Sequence, residues 1–219
     1  MAEKKKFIET KLPLIGSETR ILGSIEELKG KTIKLDLTRK LRGKGLNVKF
    51  KIFEVEGDLI GVPYKMELIT SYIRRMMRKR ADYVEDSFKA QCSDIRVTIK
   101  PFLITRKRVS RAVRRNLRNT AKEFLSEYVK EREYNIVCED IINGVLQKAM
   151  LPKLKKVYPL SLCDIRVFET KELEKIDLKK VAVEAKKVET VDVVEDIAES
   201  QVKEEVEEDL QEEEESKEE

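Results

Sequence analysis

The chain has 219 residues; 41% are hydrophobic and 40% are charged, so it can bury a core yet carries more charge than an average globular protein. It has no histidine, which excludes serine triads, cysteine–histidine nucleophiles and histidine metal ligands. The net charge of +4 divides into +16 for residues 1–172 and −12 for residues 173–219, and so basic a first part indicates a polyanionic partner.

The cysteines and the apolar runs narrow the class of protein further. Cys92, Cys138 and Cys163 are far apart and no CxxC pair exists, so the sequence predicts reduced, half-buried thiols in a cytoplasmic protein, without a zinc ribbon or a redox motif. No apolar run reaches 18 residues, so we expect no membrane-spanning helix. We also expect no cofactor and no metal site.

The first third of the chain is predicted to start as an extension and to continue as strands. Residues 1–26 are predicted to form a basic N-terminal extension that needs a partner to become ordered. Apolar and polar residues then alternate at 31–37 and 47–55, and a third strand follows the hairpin-type turn "EGD" (56–58). The segment "TRKLRGKG" (38–45) has two glycines and four basic residues, which predicts a mobile loop between the first two strands.

Helical and strand patterns alternate in the middle of the chain. Thr70 is predicted to cap a helix that ends near 77. Residues 83–104 predict two strands around a turn at 91–94, and Pro101 predicts a sheet edge or the end of regular pairing. A long helix is predicted from about Val109 to Arg132, because apolar residues recur there at the helical period.

The last part of the chain contains a broken helix, a strand and a tail. A helix is predicted to begin near Cys138, to be interrupted at "NG" (143–144), and to kink or end at Pro152, which cannot donate a backbone hydrogen bond. The stretch "LCDIRVFE" (162–169) predicts a final strand. Residues 173–219 lack aromatic side chains and predict an acidic disordered tail, which either only solubilises the protein or folds over its cationic faces.

Three basic segments are the candidate RNA-binding elements. In the long helix, five cations fall within an arc of about 80° opposite the predicted core face, with no acidic residue among them: Arg108, Arg111, Arg115, Arg118 and Lys122. The second segment is "RRMMRKR" (74–80), and the third is the loop at 38–45, which lacks the Walker spacing. Arginine predominates in the helical segments, which suits bidentate contacts with phosphate. The residues predicted to contact RNA are Arg39, Lys40, Arg42, Lys44, Arg74, Arg75, Arg78, Lys79, Arg80, Arg106, Lys107, Arg108, Arg111, Arg115, Arg118 and Lys122.

Two other classes of protein compete with RNA binding. A membrane-surface protein would place large apolar side chains beside the cations of an amphipathic helix, but Phe124, Leu125 and Tyr128 are better explained as core. An enzyme without histidine would depend on carboxylate or cysteine chemistry, and no pair of carboxylates stands out. The sequence therefore predicts neither a membrane-binding protein nor an enzyme.

Several segments of the sequence resemble those of one protein family. "ELKGKTIKLDL" (27–37), "ELITSYIRRMM" (67–77), "IRVTIKPFLITRKR" (95–108) and "KKVYPLSLCDIRVFE" (155–169) occur in the order typical of the archaeal and eukaryotic small-subunit ribosomal proteins of the S-one-e (S-three-Ae) family. The resemblance covers about 27–172, and the length and the acidic tail resemble the archaeal members.

The resemblance carries expectations about fold and function. It implies an α+β fold, with a mostly antiparallel, β-barrel-like sheet core and flanking helices, in an RNA-binding domain at 27–172 between the extension and the tail. It also implies a structural constituent of the small ribosomal subunit, on the platform near the mRNA exit. The implied partners are small-subunit ribosomal RNA, neighbouring small-subunit ribosomal proteins and mRNA near the exit, with no membrane. The alternative is a non-ribosomal RNA-binding protein or RNA chaperone.

Overall fold

The computed structural model describes residues 6–55 and 57–173. The predicted tail lies outside these residues except for its first member, Leu173, which is buried against Ile60 and Val62. Within the described part the protein is α+β, with five α-helices and nine strands. The strands are β1 (Lys6–Leu12), β2 (Ser17–Gly23), β3 (Thr32–Asp36), β4 (Leu46–Val55), β5 (Asp58–Leu68), β6 (Tyr83–Glu85), β7 (Phe88–Gln91), β8 (Arg96–Thr105) and β9 (Leu160–Thr170). The helices are α1 (Ile25–Leu28), α2 (Thr70–Met76), α3 (Arg111–Lys130), α4 (Tyr134–Asn143) and α5 (Val145–Lys155).

The N-terminal residues belong to the sheet, and the prediction of an extension that needs a partner to become ordered is wrong for residues 6–23. Strands β1 and β2 form an antiparallel hairpin, joined by a 3₁₀ turn at Pro13–Ile15 and closed by Gly16 at φ 59°. Strand β1 also pairs in parallel with β5. The boundary predicted at residue 27 falls within α1. Backbone pairing with β5, which lies far along the chain, therefore orders this segment.

The three strands predicted between 31 and 66 are confirmed. The alternation of β4 buries one face, so that Val48, Phe50 and Ile52 are fully buried while Lys49 and Lys51 between them are partly exposed. Strand β3 pairs with β4, and β4 pairs along its whole length with β5. Strand β5 is therefore the centre of the sheet, with β1 and β9 sharing its other side.

The segment predicted as two strands around 91–94 forms three. Strands β6 and β7 both pair with β8, with a break at Asp86–Ser87 between them. Strand β8 is not an edge, because it has β9 on one side and β6 and β7 on the other, but Pro101 lies opposite the break between β6 and β7, so the predicted end of regular pairing is confirmed. The register between β8 and β9 shifts at Lys100/Pro101, so a β-bulge accommodates the residue that has no amide hydrogen.

The sheet is open and mixed. Its main row runs β2-β1-β5-β9-β8-β6; off this row β4 pairs with β5, β3 pairs with β4, and β7 pairs with β8. The pairing of β1 with β5 is parallel, and the other pairings of the described residues are antiparallel. Strands β2 and β6 end the row without pairing with each other, so the predicted barrel-like closure is not confirmed. The predicted α+β class is confirmed, because helices and a mainly antiparallel sheet make up the described residues.

The helices pack on the second half of the sheet and complete the core. Helix α3 contacts β6, β7 and α5, and α5 contacts α4 and β9. Tyr134 of α4 is buried, stacks on Phe168 at 5.4 Å between ring centroids, and donates a hydrogen bond to the carbonyl oxygen of Pro63 at 3.0 Å. Gly144 at φ 75° separates α4 from α5, as predicted. Helix α5 continues through Pro152 to Lys155, so a predicted end at Pro152 is wrong.

Candidate nucleic-acid interface

The basic loop at 38–45 is held against α2. The carbonyl oxygen of Gly43 accepts a hydrogen bond from the guanidinium of Arg75 at 3.1 Å, and the carbonyl oxygen of Gly45 accepts one from the amide of Ile69 at 2.9 Å. The backbone passes so close to α2 that a Cβ at Gly45 would lie 2.9 Å from the Cβ of Tyr72. The loop predicted to be mobile is thus anchored at two points, and its cations lie next to those of α2.

The loop also has an internal anchor at its start. Asp36 accepts hydrogen bonds from the hydroxyl and from the amide of Thr38, and these bonds hold the pKa of the Asp36 carboxyl below its ordinary value. The amide of Gly43 then bonds to the carbonyl oxygen of Thr38 at 2.9 Å. The turn is therefore built by short-range backbone and side-chain contacts, which leave the side chains of Arg39 and Arg42 exposed.

Helix α2 differs from its prediction in the cap. The N-cap is Ile69, without a side-chain hydrogen bond, and Thr70 is the first helical residue. The cations of the helix point outward, as the spacing predicts, because Tyr72 and Ile73 take the buried face while Arg74 and Arg75 are exposed. The orientation of the cations follows from the helical period, which the wrong cap does not change.

Asp82 joins the second basic segment to the third. Its backbone carbonyl oxygen accepts from the amide of Thr105 at 2.9 Å, its amide donates to the Thr105 hydroxyl at 3.1 Å, and its carboxylate accepts from the amide of Val109 at 3.0 Å. These bonds place residues 78–80 beside residues 106–108. Asp82 was not predicted as part of the site, because a single acid two residues after the basic run gives no local sign of these bonds.

Helix α3 begins with a concentration of positive charge. The Ser110 hydroxyl caps it by accepting from the amide of Val113 at 3.4 Å, and the first turn contains no acid. Arg111 and Arg114 therefore lie at the positive end of the helix dipole, where a cation is unfavourable and an anionic ligand is favoured. Further along, Arg118 donates to the backbone oxygen of Glu85 at 3.2 Å, which ties the helix to β6.

The buried stripe of α3 differs in part from the predicted core face. Leu117 and Ala121 are buried as predicted, but Leu125 and Val129 are buried as well, while Phe124 and Tyr128 are only partly buried. Residues four apart advance by about 40° around a helix, so a stripe of this spacing rotates toward the side that carries the cations. The buried residues reach the cationic side of the helix only at Leu125 and Val129, after the last predicted cation, Lys122. The predicted cations of α3 therefore all stay exposed: Arg111, Arg115, Arg118 and Lys122.

All but one of the predicted site residues are exposed to solvent and have no acidic partner. Fifteen of the sixteen are exposed. None of these fifteen forms an ion pair with a carboxylate of the described residues. Elsewhere acids accompany cations, as where Lys65 pairs with Glu67 at 3.3 Å and with Glu169 at 3.4 Å. We call the fifteen exposed cations the cationic surface; they are Arg39, Lys40, Arg42, Arg74, Arg75, Arg78, Lys79, Arg80, Arg106, Lys107, Arg108, Arg111, Arg115, Arg118 and Lys122.

Lys44 is the exception among the predicted site residues. Its ammonium lies 3.0 Å from the carboxylate of Asp164, and the two side chains are 20% and 5% exposed. The same carboxylate oxygen accepts from Gln147 at 3.1 Å and from the amide of Ile165 at 2.8 Å. The charge of Lys44 is thus already neutralised inside the fold, by an acid that is 120 residues away in the sequence.

The cysteines do not form a reactive site in the described part of the chain. Cys92 and Cys138 are buried and Cys163 is partly buried, and all three are free thiols, as predicted. Burial raises the pKa of Cys92 and of Cys163 to about 12, so neither thiol ionises near neutral pH. Among residues 6–55 and 57–173, no group of three or more His, Cys, Asp or Glu side chains is placed to hold a metal ion. No helix within these ranges is both long and apolar enough to cross a membrane.

The fold and its surface define an α+β protein that presents unpaired cations from a loop, two helices and the segments next to them. The family model of the Ribosomal S3Ae family matches residues 4–173. The chain belongs to the Ribosomal S3Ae family. This result confirms the resemblance, and it extends the match into the hairpin that the sequence analysis had set apart as an extension. The Ribosomal S3Ae family is a family of ribosomal proteins and not a family of enzymes.

Curated relatives come from archaea. The chain is 26% identical over 146 residues to small ribosomal subunit protein eS1 of Haloquadratum walsbyi, an alignment that covers 64% of this chain and 69% of that protein. It is 26% identical over 183 residues to small ribosomal subunit protein eS1 of Nanoarchaeum equitans, with 79% of this chain and 92% of the relative covered. The longer alignment shows that the similarity extends over nearly the whole of a relative.

Proposed function

We propose that this protein is a structural constituent of the small ribosomal subunit and that it binds ribosomal RNA through the cationic surface. The observation that carries the proposal is the absence of any ion pair between these fifteen cations and the carboxylates of the described residues. Unpaired cations held close together repel one another, and a polyanion removes this repulsion. Family membership and the names of the relatives favour ribosomal RNA as that polyanion.

The chemistry of the surface favours contacts with the RNA backbone. Eleven of the fifteen cations are arginines, and guanidinium groups make bidentate hydrogen bonds to phosphate. Side chains cannot read the deep major groove of A-form RNA, so phosphate and 2′-hydroxyl groups are the accessible targets. Each neutralised phosphate releases counterions, so binding should weaken steeply with salt.

The position within the subunit and the other partners are finer parts of the same proposal. We place the protein on the platform near the mRNA exit of a cytoplasmic ribosome, in contact with mRNA and with neighbouring ribosomal proteins, on the strength of the sequence resemblance. Phe7 and Leu22, cross-strand partners in the β1–β2 hairpin, are 72% and 51% exposed. An ion pair between Arg20 and Glu9 borders them. Exposed apolar groups with both signs of charge suit a protein neighbour better than a polyanion.

Reversal of charge on α3 tests the proposal. A variant with Arg111→Glu, Arg115→Glu and Arg118→Glu should keep its fold by circular dichroism, because all three side chains are exposed. It should fail to sediment with small subunits from cells that express it. Its affinity for small-subunit RNA should also depend less steeply on salt, with a slope lower by about 0.7–0.9 per lost phosphate contact.

The matched control changes total charge equally and leaves the cationic surface intact. Lys31→Glu, Lys34→Glu and Lys148→Glu replace exposed lysines that lie outside the cationic surface. This control should still incorporate into small subunits. Normal incorporation of the α3 variant would refute the role of this face. If the unmodified protein binds RNA but never sediments with small subunits at moderate salt, the alternative of a non-ribosomal RNA-binding protein or RNA chaperone replaces the proposal.

A further inference from the structure

A pocket of about 450 Å³ lies within the cationic surface, where three segments meet. Arg78 and Ala81 line it from the segment after α2, and Arg106 lines it from the end of β8. The third segment is the start of β9, which contributes Leu160 and Ser161. Neither Asp nor Glu is among the described residues that line this pocket. Its electrostatic character is therefore positive, and it is a concave part of the cationic surface.

The polar groups of the pocket are hydrogen-bond donors without a partner. The guanidinium groups of Arg78 and Arg106 and the hydroxyl of Ser161 make no hydrogen bond or ion pair with the described residues, and all three side chains are exposed. The hydroxyl of Thr105, in contrast, is buried and is occupied by Asp82 and Lys107. Two guanidinium groups beside one hydroxyl form a donor set that suits the oxygens of a phosphodiester.

The fold holds the two arginine-bearing segments together before any ligand arrives. Asp82 and Thr105 exchange hydrogen bonds of 2.9 Å and 3.1 Å, and the Asp82 carboxylate also binds the amide of Val109 at 3.0 Å. Arg80 takes a left-handed conformation at φ 65°, which turns the chain between Arg78 and Asp82. Folding therefore already compensates the repulsion between the two cations, and an anion binds a preformed site with a smaller loss of conformational entropy.

The pocket is larger than a phosphate ion requires, and a small part of its wall is apolar. Ala81 is half-buried and Leu160 is 5% exposed, so a narrow apolar strip lies beside the donors. A volume of this size lies in the lower part of the range for small-molecule sites, about 300–1,000 Å³. A base in an A-form duplex is stacked and cannot enter such a pocket, whereas a base that leaves the stack can.

We infer that this pocket binds one unpaired nucleotide of RNA, with its phosphate between Arg78 and Arg106 and its base or ribose against Ala81 and Leu160. The inference rests on the proposed RNA-binding function and deepens it, because it divides the cationic surface into two parts. The exposed cations of α3 bind backbone of any secondary structure. The pocket selects RNA that has a bulged or single-stranded nucleotide at the right place.

The test compares two RNA hairpins that differ by one nucleotide. One has a fully paired stem, and the other has the same stem with a single-nucleotide bulge. The full chain should bind the bulged hairpin about tenfold more tightly, which is the ratio that one charge-assisted hydrogen bond supports. Equal affinity for the two hairpins would overturn the pocket assignment, while salt-dependent binding of both would leave the proposed RNA-binding function standing.

Two substitutions block the pocket without a change of charge. Ser161→Met fills it from an exposed position on β9, and Ala81→Leu fills it from the opposite wall. Each should abolish the preference for the bulge and leave the affinity for the paired hairpin unchanged. Ser87→Met, at an exposed serine that does not line the pocket, is the matched control and should keep the preference. A preference that survives both filled variants would overturn the assignment.

A ligand competition distinguishes RNA from free nucleotides and phosphate. Adenosine monophosphate and inorganic phosphate are titrated into the complex with the bulged hairpin. If RNA is the ligand, neither compound should remove the preference for the bulge at micromolar concentration. The reason is that α3 also binds the RNA phosphates that flank the bulge and so keeps the bulge at the pocket. Displacement by micromolar adenosine monophosphate would reassign the pocket to a free nucleotide, and displacement by micromolar phosphate would reassign it to an inorganic anion.

Discussion

The pair of Lys44 and Asp164 gives the sharpest test of how the structure reassigns a predicted RNA contact. In the structure Lys44 neutralises a carboxylate that is only 5% exposed, and the ammonium and carboxylate lie 3.0 Å apart. Replacement of Lys44 by Met would leave Asp164 charged, with Gln147 and the Ile165 amide as its remaining donors. The consequence should be a loss of stability rather than a loss of RNA affinity.

The magnitude follows from the burial of the pair. Removing one partner of a buried ion pair costs about 3–5 kcal/mol, and we expect the lower end, about 3 kcal/mol, because Lys44 is 20% exposed and two donors remain. For a chain of this size the melting temperature should fall by about 6–12 °C. Adding Asp164→Asn should recover most of the loss, because the amide oxygen can still accept from Gln147 while no buried charge remains.

Urea unfolding followed by circular dichroism measures these free energies, and RNA titration at a temperature where every variant is folded measures affinity. Arg39→Met is the control, since Arg39 lies in the same loop, is exposed and has no ion pair with the described residues. A loss for Lys44→Met no larger than the control, or a double variant no more stable than Lys44→Met, would refute the reasoning. An unchanged stability with a lower RNA affinity would restore Lys44 as an RNA contact.

Two further predictions concern the core. Leu125→Ala should lower the free energy of unfolding by about 3 kcal/mol, because Leu125 is fully buried. The control Leu22→Ala, at an exposed position, should change this free energy by less than about 0.5 kcal/mol. A small loss of stability for Leu125→Ala would contradict the burial of Leu125 in α3. Stability under reducing conditions should fall as the pH rises from 9 toward 12, because unfolded thiols ionise near 9.0 while Cys92 and Cys163 keep their protons to about 12. Cys92→Ala should make that decline shallower, and an identical decline would contradict the burial of this thiol.

Local patterns accounted for much of the secondary structure. Period-two alternation located β3, β4 and β5, and the helical period located α3 with an end error of about two residues. The wrong predictions depend on partners that are distant in the chain. The β1–β2 hairpin is ordered by β5, and β8 is a central strand rather than an edge, with its regular pairing interrupted at Pro101 as the alternative prediction stated.

The sequence by itself determined the charge of the surface and most of its exposure. A run of cations without interspersed acids, on the side of a helix that lacks apolar residues, has to face solvent or a ligand, and fifteen of the sixteen predicted side chains are exposed. This inference needs only the helical period and the order of the residues, both of which are local properties.

Tertiary structure alone decided which cations are neutralised and which stand together. Asp164 neutralises Lys44 across 120 residues, and Asp82 brings Arg78 beside Arg106 through bonds to Thr105 and Val109. No local signal marks either acid, since a carboxylate in a sequence does not reveal whether it will be buried or which donor it will meet. Hydrogen bonds and ion pairs between distant segments form only once the sheet and helices have packed, so the pocket and the exception at Lys44 exist only in the folded protein.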